Sequence, residues 1–217
     1  VVYNPNRTKL VLDAQRLGIP AAGGLLMLSA QAKRACELFT GREIAEERIK
    51  EVADAIAFEM KNIAIIGMPG CGKSSAGREL AKLTGREFHD MDAEIETLAG
   101  MKIPEIFAAR GEEEFRRLET QVLSELSKRS GIIIATGGGV VTRKENYPLL
   151  RQNSTVVFLE RGDLGTLAKA GRPLSTSKPA EQLARERMPM YRGWSDVTVK
   201  CVNPRQNARN ILEAVKP

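Results

Sequence analysis

The sequence predicts an α/β fold: a five-stranded parallel sheet flanked by helices, preceded by an N-terminal helical appendage. Three observations predict it. From Lys61 onward, short β-branched runs alternate with segments of helical periodicity. The first of those strands stops at a glycine, and Gly67, Gly72, Lys73 and Ser74 then follow the spacing G-x-x-x-x-G-K-[ST] before a helical segment. Residues 1–59, by contrast, read almost entirely as helix.

In chain order, residues 10–18 form a short helix ended by Gly18. Pro20 and Gly23-Gly24 make a break. Residues 25–39 are an apolar-periodic helix stopped at Thr40-Gly41, and 44–60 are a further amphipathic helix with Ile44, Ile49, Val52, Ala53, Ile56 and Ala57 on one side. About sixty such residues make a weak core by themselves, so these helices are expected to lean on the rest of the chain or on a partner. Strand 63–67 then leads to helix 73–84, and strand 87–91 to helix 92–100. Helices 104–110 and 112–128 are separated by Gly111. Strand 132–136 ends in Gly137-Gly138-Gly139, and helix 144–152 precedes strand 155–160. Helix 163–170, helix 181–194 with Pro189 inside it, strand 196–202 and helix 205–215 complete the chain. Strands separated by helices imply parallel pairing with both faces covered. Ligands in such sheets gather at the carboxyl ends of the strands. Three features are expected there together: the 67–75 loop, Asp90–Asp92 and the glycine triplet.

Composition narrows the class. Of 217 residues, 42% are hydrophobic and 28% charged, which is ordinary for a globular protein. No apolar run nears the ~20 residues of a membrane span. The first residues lack a basic patch followed by an apolar core, so no secretory signal is expected. Without an initiator Met, the chain reads as a piece of something longer. Three scattered cysteines, Cys36, Cys71 and Cys201, argue against a disulfide framework and fit a cytoplasmic protein. The net charge of +6 is interleaved with acids and aromatics are only 5%, so an anionic-nucleotide pocket explains it better than nucleic acid.

The motifs carry the chemistry. A Gly-rich turn lets several backbone N–H groups converge on one anion, and the next helix adds its positive dipole end. Gly70, Cys71, Gly72, Lys73, Ser74 and Ser75 form this nucleotide-phosphate cradle, with Lys73 reaching the β/γ-phosphates and Ser74 set to ligate Mg²⁺. Cys71 reads as a small loop residue, with a redox-sensitive thiol as the sharper alternative. Asp90 and Asp92 alternate at the end of a strand and are expected to face one cleft, one near Mg²⁺ and one as a proton acceptor. A helix N-cap is the plainer reading. His89 adjoins them and is assigned no role. Glu112, Glu113 and Glu114 suit a helix start. Arg116 suits a carboxylate ligand or, more plainly, an exposed ion pair with Glu112 or Glu119. Gly137–Gly139 permits close backbone approach to a ligand. Arg172, in a Gly/Pro/Ser-rich loop, can close over a nucleotide, and Arg187 and Tyr191 share one helix face.

With these residues assembled, the stretch from about residue 61 to the C-terminus resembles shikimate kinase, a nucleoside-monophosphate-kinase-like P-loop NTPase fold. The resemblance rests on Gly67–Ser75, Asp90-x-Asp92, Phe107 with Gly111–Arg116, Thr136–Gly139, Arg172-Pro-Leu174 and Glu186-Arg187-x-x-x-Tyr191, in family order. It implies ATP-dependent phosphorylation of the 3-hydroxyl of shikimate, a step of aromatic amino-acid biosynthesis. Asp92 would hold that hydroxyl and act as base, and Asp90 would hold Mg²⁺ through water. Arg116 and Arg187 would grip the substrate carboxylate, and Gly138 and Gly139 would meet the substrate through their backbone. Arg172 would stabilise the transferring phosphoryl group. One departure is a short lid between Leu167 and Pro173, with Lys169 where an adenine-stacking arginine often stands.

Residues 1–58 resemble a different enzyme, the C-terminal end of shikimate dehydrogenase, through Val2–Pro5, Gly24-Leu25-x-Met27-Leu28, Gln31-Ala32 and Glu37–Gly41. Its dinucleotide loop and catalytic half are missing here. The resemblance therefore implies a two-enzyme fusion with a join near Met60, residues 1–59 forming one unit and 60–217 a kinase domain, and no dehydrogenation by this polypeptide. The missing dehydrogenase portion is the partner it implies; no nucleic acid and no membrane are expected. Tyr3 and Gln31 read as ordinary structural residues. Two rivals remain: another small-metabolite kinase such as a gluconate kinase, and a non-catalytic nucleotide-binding module.

Overall fold

A computed structural model describes residues 2–162 and 180–216. Its centre is β1, Asn62–Ile66, which is buried on both faces, as its unbroken β-branched and apolar run requires. β2 (Phe88–Asp90), β3 (Ile133–Ala135), β4 (Ser154–Glu160) and β5 (Val197–Lys200) complete a sheet of order β2-β3-β1-β4-β5. Every pairing is parallel, with Ile63 opposite both Ile133 and Thr155. The carboxyl ends therefore share one edge. Two polar side chains set the strand ends. Asn62 is fully buried; its Oδ1 accepts from Ile132 N at 3.0 Å and its Nδ2 donates to Arg129 O at 2.8 Å. At the other end, Thr136 donates to Ile65 O through both its amide and its hydroxyl, at 3.1 Å each.

The expected helices that fall within the described residues are present. α4 spans Lys73–Thr84, the predicted bounds, and ends on Gly85 in the left-handed region. α5 is Met91–Ala99. α6, Ile103–Ser127, runs through Gly111, whose φ of 78° breaks the helical geometry and re-aims the half that carries Arg116. α7 is Asn146–Asn153, α8 Ala180–Trp194 and α9 Pro204–Val215. The predicted helix 163–170, the lid with Lys169, and Arg172 lie outside the described residues.

The N-terminal region holds α1 (Lys9–Arg16), α2 (Leu25–Thr40) and α3 (Glu47–Met60). α3 starts three residues later than predicted, leaving Ile44 in the preceding loop, where its amide donates to Glu37 Oε1 at 3.1 Å. Val52, placed on the apolar side by periodicity, is exposed because little packs over α3. Val11, Leu25 and Ala53 are the buried apolar residues of these three helices, while Phe39 is 90% exposed. The region does lean on the sheet domain. Arg7 N donates to Gln152 O at 2.9 Å, and Arg86 donates to Lys61 O and Phe58 O at 2.7 and 2.9 Å.

Candidate active site

The loop after β1 and the first turn of α4 enclose a cavity of about 200 Å³ lined by Gly70, Gly72, Lys73, Ser74 and Ser75. Gly72, at φ 96°, caps α4 and turns the chain into it. Lys73 is buried, and its Nζ donates to Gly67 O and Met68 O at 2.9 Å each. Its charge is therefore held inside the loop by two carbonyl dipoles. Cys71 is buried with its Sγ 4.0 Å from Lys73 Nζ, which suits a packing role in the loop rather than an accessible thiol. Two residues behind the loop carried no sequence signal: Arg161 donates to Gly70 O at 3.2 Å, and Cys201 Sγ donates to Cys71 O at 3.2 Å.

Asp90 and Asp92 need a correction. They do not alternate along one strand, because β2 ends at Asp90 and α5 begins at Met91. Asp90 is the N-cap, its Oδ1 accepting from Asp92 N at 3.1 Å, and its Oδ2 lies 3.8 Å from Arg78. Asp92 sits in the first turn of α5, and its Oδ1 would be 3.3 Å from a Cβ on Gly137. Capping, strand end and approach to the glycine triplet thus coexist. His89 is held by Glu94 at 2.8 Å, Glu87 at 3.0 Å and Arg129 at 2.9 Å, in keeping with a structural role.

Arg116 is also unlike its plainer reading. It is 4% exposed, not solvated, and its Nη1 donates to Glu119 Oε2 at 2.7 Å while Nη2 reaches Glu112 at 3.3 Å. Glu119 has no exposed surface. Burial raises its carboxyl above the ordinary range, with the Arg116 charge partly opposing that shift. Its Oε1 has no hydrogen-bond partner among the described residues and faces Gly137, 2.5 Å from where a Cβ would be. Sequence reasoning treated Glu119 only as a surface partner of Arg116. The available signal was its position between Leu118, Val122 and Leu123, all buried, on one face of α6.

The glycine triplet joins these parts, and each member has a separate steric reason. A Cβ on Gly137 would strike Glu119, one on Gly138 would lie 2.6 Å from the Pro69 ring, and one on Gly139 would lie 2.1 Å from Arg116 Nη1. From α8, buried Arg187 donates to Gly138 O at 3.1 Å, and the Tyr191 hydroxyl donates to the same oxygen. Burial raises the Tyr191 phenol, so it stays a donor through the neutral range. The structure therefore brings the phosphate loop, Asp92, Arg116, Gly137–Gly139 and Arg187 to one edge of the sheet. A cradle for phosphates faces a wall with two buried guanidiniums and two carboxylates. That arrangement suits transfer of a phosphoryl group to an acceptor bearing both a hydroxyl and an acid group.

Known proteins give the same direction. The family model described as shikimate kinase matches residues 69–216. The shikimate kinase of Halorhodospira halophila is 42% identical over 164 residues, covering 71% of this chain and 93% of the relative. That of Histophilus somni is 39% identical over 148 residues, covering 64% and 85%. The solved shikimate kinase from Acinetobacter baumannii in complex with shikimate has a TM-score of 0.67 at 38% identity, covering 73% of this chain and 95% of that one. The enzyme from Aquifex aeolicus has a TM-score of 0.63 at 31% identity, covering 70% and 94%. The family match begins at residue 69, so α1, α2 and α3 lie outside it.

Proposed function

The chain belongs to the shikimate kinase family, and we propose how its residues divide the work of moving a phosphoryl group from ATP to shikimate. The activity is ATP-dependent phosphorylation of shikimate; the 3-hydroxyl is the acceptor in this reading. Gly70–Ser75 cradle the nucleotide phosphates, and Lys73 exchanges its two loop carbonyls for β/γ-phosphate oxygens. Asp92 holds the acceptor hydroxyl and takes its proton. Arg116 and Arg187 bind the carboxylate, with Gly138 and Gly139 against the ring. Glu119 positions Arg116, and its unpartnered Oε1 is available to a substrate hydroxyl. Arg172, beyond the described residues, is assigned to the transferring phosphoryl group. The observation that carries this reading is that two buried guanidiniums, Arg116 and Arg187, meet the same glycine segment beside the phosphate loop.

A magnesium ion suits the donor set. No group of three or more His, Cys, Asp or Glu among the described residues forms a metal cage. Mg²⁺ in kinases takes one or two protein oxygens and keeps phosphate and water ligands. The Ser74 hydroxyl, in the wall of the loop cavity, would supply such an oxygen, and the Asp90 carboxylate, at the adjoining strand end, would hold the ion through water. When bound, the ion neutralises charge on the β- and γ-phosphates.

Residues 60–217 form the kinase unit in this reading, acting in the cytoplasm. Residues 1–59 are the end of a shikimate dehydrogenase-like partner enzyme, whose remaining portion would sit on the same polypeptide. Their likeness rests on the sequence residues alone, and Tyr3 and Gln31 are both exposed here.

A coupled ADP-release assay tests the whole reading. Turnover with shikimate and none with gluconate is expected. Turnover with gluconate alone would favour the sugar-acid rival, and nucleotide binding without turnover of either would favour a non-catalytic module.

A further inference from the structure

A second cavity lies away from the phosphate loop, where α1 crosses α7 and the end of α8. Its volume is about 830 Å³, within the range of small-molecule sites. Its floor is aromatic: the Tyr147 and Trp194 rings meet edge to face, with centroids 5.2 Å apart. Its remaining lining carries four cations, Lys9, Arg16, Lys144 and Arg151, against one carboxylate, Asp13. Asp13 is already taken by Lys9 at 2.6 Å and Arg16 at 3.6 Å, and Arg151 pairs with Asp196 at 2.9 Å. Lys144 has no carboxylate partner among the described residues. The Arg151 guanidinium lies 5.6 Å from the centroid of the Tyr147 ring, and aromatic surface beside an excess of cations over carboxylates selects for a planar ring that carries a negative group.

We propose that this cavity is a binding site for a small aromatic or other planar-ring carboxylate, separate from the kinase centre. The ring lies against Trp194 beside the Arg151-covered Tyr147 ring, and the carboxylate is held by Lys144 and Arg16. The inference does not depend on the kinase assignment. Neither cation belongs to the machinery described above, and the side chain of Arg16 is 76% exposed.

Trp194 is the single tryptophan of the chain, so its emission reads the site directly. Phenylacetate, titrated with excitation at the red edge of the tryptophan band, is the probe. A saturable change in Trp194 emission is expected, and it should persist when shikimate is present at saturation. Benzyl alcohol, with the ring but no charge, and inorganic phosphate, with charge but no ring, should each bind at least about fivefold more weakly. The double variant Lys144→Gln, Arg16→Gln should weaken phenylacetate about fivefold and leave shikimate turnover unchanged. No saturable change, displacement by shikimate, equal binding of benzyl alcohol or of phosphate, or undiminished binding in the double variant would each overturn the proposal. A failed kinase assay with an intact emission response would leave it standing.

Discussion

A Cβ on Gly139 would lie 2.1 Å from Nη1 of Arg116 and 2.3 Å from its Cζ, so the glycine leaves the space in which the guanidinium sits. Gly139→Ala must move Arg116, the far end of a flexible side chain, and the fold should survive. The KM for shikimate should rise about tenfold while that for ATP changes little. Gly138→Ala differs, because its Cβ would meet the Pro69 ring at 2.6 Å and Pro69 N at 2.9 Å. There the phosphate loop must shift, and the KM for ATP should rise as well. Initial rates with each substrate varied in turn distinguish the two; a shared pattern would contradict this division.

In the proposed role, Arg116→Ala would remove a charged ligand of the substrate; it also strands Glu119. Loss of a charge-assisted hydrogen bond costs about 1.5–3 kcal/mol, or roughly 10–150-fold in the KM for shikimate, with the KM for ATP far less affected. Leaving a buried carboxylate unpaired should also lower the melting temperature. Adding Glu119→Gln should recover part of that stability without recovering the KM. Equal effects on both substrates would refute the role given to Arg116.

Lys73→Met should lower kcat by at least about 10²-fold, in line with loss of a positioned charge at the reacting phosphate. Near-normal ADP release in that variant would remove the phosphate-loop assignment. Circular dichroism should show an intact fold, since the methionine stem fills a similar volume.

Glu119 should make stability depend on pH. Its folded carboxyl is raised above the ordinary glutamate value of 4.5. The native state therefore keeps a proton that the unfolded chain releases first, so stability falls as pH rises through that window. Below 4.5 the contribution is fully present, and above the folded value it is lost. Denaturant melts of the wild type and Glu119→Gln across this range should give a difference that declines with pH. A flat difference would mean that Glu119 titrates normally.

Much of this was legible in the sequence, and the exceptions have physical causes. α4 begins and ends where its glycines predict, because Gly72 and Gly85 both adopt conformations that other residues resist. β1 was clear because an apolar run with no polar face has nowhere to go but the middle of a sheet. Asp92 was misplaced by one element because alternation cannot tell a strand end from the first turn of a helix when an Asp N-cap lies between them. Glu119 was underrated because ion-pair spacing looks the same on a wet face and a dry one; only the apolar residues around it tell them apart. The glycine triplet is a weak motif alone, and its meaning lies in Glu119 and Arg116 of α6 and in Pro69 of the phosphate loop, neighbours distant in sequence that no local pattern encodes.

Gly138 touches Pro69 on one side and holds Arg187 and Tyr191 through its carbonyl on the other. Redesign of this enzyme for another alcohol therefore cannot treat α8 as an independent specificity module. Any remodelling of that helix is transmitted through one peptide into the nucleotide loop, so acceptor choice and ATP handling would have to be re-optimised together.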